Sequence, residues 1–192
     1  MTDQLAIMPD WQSSSIENLP PLHNDELHVW SLPLSLNKAQ AELALRWLND
    51  KQREHHARRV GERRKTAYLA GRYYLLSLLS AYANCDPQNI ELAYTRLDKP
   101  YLKNSDASIH FNFTDTTIGR SESAVSHALL AFSRQAQVGV DIEHTSRQNN
   151  FAGIARSRFT PAEQQLVTDD HGNVNPERFL HIWTRKEASG KA

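Results

Sequence analysis

The sequence predicts an α+β fold, in which helices come first, strands occupy the middle of the chain and helices return at the end. Residues 66–83 form an 18-residue apolar run that includes arginine, tyrosine and serine, which is typical of a helix in a globular core. Residues 108–114 and 124–133 combine alternation with β-branched and aromatic residues, which is typical of strands. Two segments that begin at Thr160 and Asn175 carry the start signals of helices.

The first half of the chain is expected to order itself around the long apolar helix. Residues 1–25 are polar and contain proline, which predicts an irregular lead. Residues 26–34, ELHVWSLPL, predict a short strand that ends at Pro33. A helix is predicted from Asn37 onwards and continues into a basic stretch, while residues 84–87, NCDP, close the long helix.

The second half of the chain is expected to hold most of the strands. Residues 90–94 predict a short strand, and Pro100 fixes a turn or strand entry in RLDKPY. Residues 138–143, VGVDIE, predict a further strand that RQAQ, residues 134–137, joins to its predecessor as a hairpin. Residues 145–158 are expected to form a loop.

The last two helices are predicted from their N-terminal signals. Thr160 is expected to be an N-cap, with Pro161 at the first helical position and Glu163 completing a capping box. Asn175 and Pro176 repeat the same device at the start of the final helix.

Composition excludes several classes of protein. The 192 residues are 40% apolar, enough for a core, and 22 Lys and Arg balance 22 Asp and Glu, so that net charge attracts neither nucleic acid nor membrane. Cys85 is the single cysteine, which excludes a disulfide framework within the chain. The N-terminus lacks the features of a secretory signal, and no apolar run is long enough to span a membrane. We therefore expect a soluble, cytoplasmic protein.

The charge is nevertheless distributed unevenly along the chain. Residues 51–65, KQREHHARRVGERRK, are dense in lysine and arginine. Such a face binds phosphates or an acidic protein, but it also occurs as the solvated face of a helix. Charge alone leaves both interpretations open.

Two carboxylates stand out within the predicted strand at residues 138–143. Asp141 and Glu143 are two residues apart, and such residues point to the same face of a strand. Like charges held this close raise each other's pKa, which a Mg²⁺ ion between them would relieve. Glu187 on the last helix is a candidate third acid, and Lys191 shares its helix face. The alternatives are an exposed strand end for the first pair and a surface salt bridge for the second.

Together these segments resemble the 4′-phosphopantetheinyl transferase superfamily. VGVDIE is followed, 46 residues from Asp141 to Glu187, by WTRKEASGK, and the family pattern is G-[IV]-D followed about forty residues later by W-x-x-K-E-[AS]-x-x-K. Further pieces occur in the order of the larger, Sfp-type branch. These are LAGRYYLL (69–76), DKPY (98–101), HFNFTDT (110–116) and RFTPAE (158–163).

The resemblance implies a fold and a domain organisation. Such proteins have two pseudo-symmetric α+β lobes in one chain, with coenzyme A and Mg²⁺ between them. We expect an N-terminal lobe at residues 26–120, after the irregular lead, and a C-terminal lobe with the metal site at residues 121–192. Because the chain ends at Ala192 inside a predicted helix, we expect the second lobe to be truncated.

The resemblance also implies an activity. Such enzymes transfer the phosphopantetheine arm of coenzyme A, their co-substrate, to a serine of an acyl or peptidyl carrier protein in fatty acid or polyketide biosynthesis. The other product is adenosine 3′,5′-bisphosphate. We expect a monomer with no nucleic acid or membrane partner. Two alternatives remain, a weakened or non-catalytic relative that binds carrier proteins, and an unrelated Mg²⁺-dependent phosphotransferase.

The resemblance assigns site residues position by position. The implied Mg²⁺ ligands are Asp141, Glu143 and Glu187. The implied catalytic residues are Glu187, Lys191 and Glu163, the last as an acid sometimes considered a base. The residues implied to bind the coenzyme are Arg72, Lys99, Pro100, Thr114, Lys186 and Lys191.

One position departs from the family pattern. Where the family has S-H-[ST] after F-N, this chain has Thr114-Asp115-Thr116. The family histidine faces the 3′-phosphate of coenzyme A, which an aspartate repels. The departure predicts weaker coenzyme binding unless the basic residues 51–65 compensate.

Overall fold

The structure, a computed structural model, describes residues 16–96, 99–103, 108–118, 124–146 and 149–192. Residues 1–15 of the predicted lead, Asp98 of the DKPY segment and the predicted lobe boundary at residues 120 and 121 lie outside the described residues. The six helices of the described residues are α1 (Lys38–Trp47), α2 (Asp50–Ala57), α3 (Glu62–Ala83), α4 (Phe151–Arg158), α5 (Pro161–Val167) and α6 (Pro176–Lys191). Their five strands are β1 (Leu27–Pro33), β2 (Leu92–Tyr94), β3 (Pro100–Leu102), β4 (His110–Ile118) and β5 (Val125–Ser133).

The strands form two antiparallel sheets among the described residues. The larger sheet has the order β1-β5-β4, and β2 pairs with β3 in a separate ribbon. In the larger sheet Phe132 of β5 lies between His28 of β1 and Phe111 of β4. Mixed helix and sheet confirm the predicted α+β class. Since β5 is the central strand, this sheet joins residues on both sides of the predicted lobe boundary, and the two-lobe division stays a prediction.

The long helix α3 packs on the larger sheet and forms the main core with it. Leu78 and Leu79 of α3 and Leu130 and Phe132 of β5 are fully buried there. Gly71 brings α3 close to β4, because a Cβ at this position would lie 3.0 Å from the ring of Phe113. The helix ends at Asn84, whose left-handed backbone (φ 51°) satisfies the final turn, as the NCDP segment predicts.

A second core lies among α4, α5 and α6. Phe159 and Phe179 stack with a centroid separation of 5.0 Å, and Trp183 extends the stack. Val167 of α5 is fully buried in the same cluster. Both predicted N-caps are confirmed, because Thr160 forms a capping box with Glu163 and Asn175 accepts from the backbone of the first turn of α6.

The helix predicted from Asn37 does not continue into the basic stretch. It ends at Trp47, and a second helix starts at Asp50 after Asn49, which forms its own capping box with Gln52. The basic residues are then divided between α2, the turn that follows and the first turns of α3. The prediction was wrong because a capping asparagine offers the backbone an alternative to helical hydrogen bonds.

The strand predicted at residues 138–143 is also wrong. This segment, which we call the Asp141 segment, belongs to no strand, and no hairpin joins it to β5. The hairpin with β5 is absent because β1 and β4 already occupy both edges of β5. The loop predicted at residues 145–158 is wrong in part, since α4 begins at Phe151 with Asn150 as its cap.

A glycine fits the Asp141 segment against the end of α6. A Cβ built on Gly139 would overlap the carbonyl oxygen of Ala188 and lie 2.9 Å from its carbonyl carbon. Any larger residue must push the segment and the helix apart. The glycine therefore sets the distance between Asp141 and the last turn of α6.

We expect Gly139→Ala to lower the free energy of unfolding by about 1–3 kcal/mol, the usual cost of overpacking. Gly190→Ala is the matched control, since Gly190 lies on α6 with open space around its Cα. That substitution should be neutral or stabilising by up to about 1 kcal/mol, the difference in helix propensity. Urea denaturation of both variants measures the two values, and equal stabilities would contradict the close contact.

Candidate functional site

A buried carboxylate and a lysine form the centre of the candidate site. The Asp141 side chain is 8% exposed, and its Oδ1 lies 2.5 Å from Nζ of Lys191. Thr114 of β4 donates a hydrogen bond of 3.3 Å to the same Oδ1, and Lys191 donates one of 3.3 Å to the Thr114 hydroxyl. The three residues come from β4, the Asp141 segment and α6, so three separate elements have to meet for the cluster to form.

The other oxygen of Asp141 has no such partner. Oδ2 is buried and accepts no hydrogen bond from any described residue. Burying a carboxylate oxygen without a partner costs free energy, and this cost is removed when the oxygen coordinates a hard cation. The donor chemistry at Oδ2 therefore fits a Mg²⁺ ion.

The other two predicted metal ligands lie nearby in the fold but are not assembled around one point. Glu143 follows Asp141 in the same segment, and Glu187 lies one turn before Lys191 on α6; both residues are half-buried. Among the described residues, no group of three or more His, Cys, Asp and Glu is arranged to hold a metal ion. The predicted Mg²⁺ triad therefore stays a prediction, supported here at Asp141 alone.

A basic cavity of about 400 Å³ lies between the start of α3 and β4. We call it the arginine pocket. Its wall includes Phe113 and Asp115, which alternate along β4 with the residues that face the Asp141 segment. Its basic lining consists of Arg59, Arg63, Arg64 and Arg72. Four guanidinium groups around one cavity favour an anionic ligand, and phosphate suits their fork of donors.

The guanidinium group of Arg72 packs on an aromatic ring, but one of its N–H donors has no acceptor among the described residues. Its guanidinium lies 5.2 Å from the ring centroid of Tyr68, over which Arg59 also lies at 4.5 Å. Nη1 of Arg72 is buried and donates to no described residue. A buried N–H without an acceptor is costly, which supports the predicted binding of an anion by Arg72.

Asp115 puts one negative charge into the arginine pocket. No hydrogen bond or ion pair of its carboxyl group occurs with the described residues. Although the residue reaches solvent through the pocket, the protein atoms around it raise the pKa of its carboxyl group, and the charges of Arg59 and Lys191 offset this only in part. Asp115 thus lines the arginine pocket and is influenced by the charges of both Arg59 and Lys191.

Lys99 and Pro100, predicted to bind the coenzyme, occupy different surroundings. Pro100 lines the arginine pocket. Nζ of Lys99 instead donates to Gln137 at 3.1 Å and to the backbone oxygen of Ala192 at 2.9 Å, and partial burial lowers its pKa. The role of Lys99 in coenzyme binding stays a prediction.

Glu163 and Lys186 bind each other. Nζ of Lys186 lies 3.0 Å from both carboxylate oxygens of Glu163, and Glu163 also accepts the backbone N–H of Thr160. These contacts, the backbone hydrogen bond first, lower the pKa of Glu163. The geometry gives both residues a part in joining α5 to α6, while their predicted catalytic and coenzyme-binding roles stay predictions.

Comparisons with known proteins show which family this chain resembles. Residues 137–192, which carry Asp141, Glu187 and Lys191, match the family model described as the 4′-phosphopantetheinyl transferase superfamily. The chain is 25% identical over 173 residues to the 4′-phosphopantetheinyl transferase HetI of Nostoc sp., which covers 89% of this chain and 70% of that protein. The predicted resemblance to the superfamily is confirmed.

Two further relatives match the chain over a smaller share of their own length. Over 125 residues the chain is 30% identical to the 4′-phosphopantetheinyl transferase AcpT of Salmonella typhimurium, covering 65% of this chain and 57% of that protein. Over 162 residues it is 26% identical to the L-aminoadipate-semialdehyde dehydrogenase-phosphopantetheinyl transferase of Mus musculus, covering 81% and 51%. Together the matches support an enzyme of the phosphopantetheinyl transferase type. The Sfp-type branch stays a prediction.

Sequence reasoning missed part of the site. It named the basic run as a possible phosphate site but did not single out Arg59, Arg64 or Tyr68 as a lining for the cavity. It also missed Asn112, whose side chain is buried next to the Asp141 segment. The signal in the sequence was the alternation along HFNFTDT. It puts Asn112 and Thr114 on one face of the strand and Phe111 and Phe113 on the other.

We expect Glu163→Gln to lower the melting temperature at pH 7, because glutamine keeps the capping box but loses the ion pair with Lys186. Since the folded pKa of Glu163 is lowered, its charge stabilises the fold above its ordinary value of 4.5, and this contribution disappears as the pH falls through the lowered pKa. The difference from wild type should therefore shrink at pH 3.5. Differential scanning calorimetry at both pH values measures it.

Glu62→Gln is the control for this measurement, because Glu62 makes an exposed ion pair with Lys65 on α3. It should leave the melting temperature almost unchanged at both pH values. A Glu163→Gln variant that behaved like this control would show that the contact between α5 and α6 does not depend on the charge.

Proposed function

We propose that this chain transfers the 4′-phosphopantetheine arm of coenzyme A to a serine hydroxyl of an apo acyl or peptidyl carrier protein. The products are the holo carrier protein and adenosine 3′,5′-bisphosphate. The observation that carries the proposal is the buried Asp141 carboxylate, with one oxygen paired to Lys191 and the other left without a partner. It lies in the part of the chain that matches the superfamily.

The reaction exchanges a phosphoanhydride bond for a phosphate ester bond. The serine oxygen forms a bond to the phosphorus that carries pantetheine, the P–O bond within the diphosphate breaks, and the serine proton leaves to a base or to water. Negative charge develops on the departing adenosine bisphosphate. Such reactions depend on positioning and on charge stabilisation more than on covalent chemistry by the protein.

The basic residues of the site supply that stabilisation. The arginine pocket offers the unpartnered Nη1 of Arg72 to a phosphate of the donor. Lys191 holds a positive charge at the Asp141 cluster, where it can stabilise charge on the leaving phosphate. Lys186, one turn earlier on α6, is the further lysine proposed to face the diphosphate.

Mg²⁺ is the ion that we propose for the acidic side of the site. Asp141, Glu143 and Glu187 would hold it, with Oδ2 of Asp141 as the oxygen that the fold leaves for it. When bound, such an ion neutralises diphosphate charge and lowers the pKa of a bound hydroxyl or water. The chain's own contribution is to keep these carboxylates in place next to Lys191.

The finer assignments belong to the same proposal. We place the chain in the Sfp-type branch, acting as a monomer in the cytoplasm on carrier proteins of fatty acid or polyketide biosynthesis. None of the helices formed by the described residues is both long and apolar enough to cross a membrane.

Mass spectrometry of an apo carrier protein after incubation with coenzyme A and Mg²⁺ tests the activity, since the arm adds a defined mass to one serine. A protein that binds the carrier without this mass change would be the non-catalytic relative.

We expect Asp141→Asn to reduce the rate of transfer by at least about 100-fold, the scale for losing a group that stabilises transition-state charge. Glu187→Gln should behave alike, and the double variant should be little worse than either single one, because residues that serve one ion act as a unit. Asp170→Asn, at an exposed position before α6, is the control and should transfer at the wild-type rate. Additive losses would show that Asp141 and Glu187 do not share an ion.

We expect Asp115→Asn to strengthen the binding of coenzyme A by roughly two- to fivefold, the scale of a partly exposed charge interaction. The reason is that the substitution removes a negative charge from a pocket proposed to take phosphate. Dephospho-coenzyme A, which lacks the 3′-phosphate, should gain less. Isothermal titration calorimetry with both ligands decides the point, and equal gains would show that Asp115 faces another part of the donor.

A further inference from the structure

The Asp141 segment lacks the support that a strand would have. Residues 138–143 make no ladder of backbone hydrogen bonds with a neighbouring strand. An irregular segment has no register to fix the direction of its side chains, yet a metal ligand has to be held within a fraction of an ångström. Other contacts must therefore determine where the Asp141 carboxylate lies.

One of these contacts comes from a buried side chain of β4. Asn112 is a buried residue, 6% exposed. Its side-chain Oδ1 accepts a hydrogen bond from the backbone N–H of Val140 at 3.0 Å. Val140 immediately precedes Asp141. The N–H of the Gly139–Val140 peptide, one residue before Asp141, is thus held by a side chain from 28 positions earlier in the sequence than Val140.

A second contact comes from the same face of β4. Asn112 and Thr114 are two residues apart on one strand, and Thr114 donates to Oδ1 of Asp141 at 3.3 Å. Two neighbouring side chains of β4 therefore bind two consecutive residues of the Asp141 segment. On the opposite side, Gly139 packs against Ala188 of α6. The segment is held between β4 and α6.

We propose that Asn112 is a positioning residue that holds the Gly139–Val140 peptide and so directs the Asp141 carboxylate towards Lys191 and the proposed ion. This inference rests on the proposed function for the identity of the ion. Asn112 does not line the arginine pocket, and the described residues show no hydrogen bond between it and Lys191, so we expect its effect to pass through the Asp141 segment. It is distinct from Thr114, which contacts the carboxylate itself.

The rival explanation is that Asn112 merely satisfies a buried N–H group. If the role is purely structural, loss of the Asn112 side chain would lower the free energy of unfolding. It would leave the affinity for Mg²⁺, kcat and KM unchanged. A positioning role would weaken Mg²⁺ binding and lower kcat, while the KM for coenzyme A would stay near the wild-type value because the arginine pocket is intact. The two explanations therefore differ in quantities that can be measured separately.

The test uses Asn112→Ala, which removes the acceptor, and Asn112→Asp, which keeps an acceptor oxygen at the same reach. Isothermal titration of each protein with Mg²⁺ alone measures binding without turnover. We expect Asn112→Ala to weaken Mg²⁺ binding and to lower kcat by about 10- to 100-fold, the usual effect of losing an outer partner of a metal ligand, and Asn112→Asp to recover most of both. Tyr74→Phe, which loses one hydrogen bond from α3 to Ser35, is the control and should change neither.

A double-mutant cycle on stability decides the matter independently of the ion. If Asn112 directs Asp141 towards Lys191, the losses in unfolding free energy from Asn112→Ala and Asp141→Asn should not add, because the second substitution removes what the first one positions. Additive losses, or wild-type Mg²⁺ affinity in Asn112→Ala, overturn the proposal. A wild-type protein that binds Mg²⁺ but modifies no carrier protein contradicts the proposed function, and the Mg²⁺ comparison and the cycle then still decide the role of Asn112.

Discussion

The ion pair between Asp141 and Lys191 is the interaction on which the candidate site depends. The Asp141 side chain is 8% exposed, and Lys191 at the end of α6 supplies the cation that offsets the cost of burying its charge. Breaking such a pair from one side leaves a buried charge, which is strongly destabilising. The approach of α6 to the Asp141 segment is therefore an electrostatic requirement as well as a packing contact.

Two separate cores bring the partners of this pair together. The core between α3 and the larger sheet fixes β4, which carries Asn112 and Thr114. The aromatic core of α4, α5 and α6 fixes the direction of α6, and the contact between Glu163 and Lys186 adds to it. The Asp141 segment has little structure of its own and takes its position from both sides. The site exists only where the two cores meet.

Sequence reasoning succeeded where the signal was local. The long apolar helix, the alternating strand β4 and the capped starts of α5 and α6 each follow from a few neighbouring residues. It failed at residues 138–143, because β-branched alternation shows that a segment can pair with a strand but not whether the fold aligns it with one. The arginine pocket escaped for a similar reason. Its lining comes from α3 and the turn before it and from β2, β3, β4 and β5, and only the packed fold brings these residues to one cavity.

The two unpartnered buried atoms of the site carry opposite charge, which constrains what can complete it. Oδ2 of Asp141 calls for a cation, whereas Nη1 of Arg72 calls for an anion. They are associated with opposite faces of β4, and the carboxyl group of Asp115, which lines the arginine pocket, is influenced by both Arg59 and Lys191. A ligand of one sign satisfies only one of the two atoms. A phosphate-bearing molecule bound together with a divalent cation satisfies both, which is the combination that transfer of a group from a diphosphate requires.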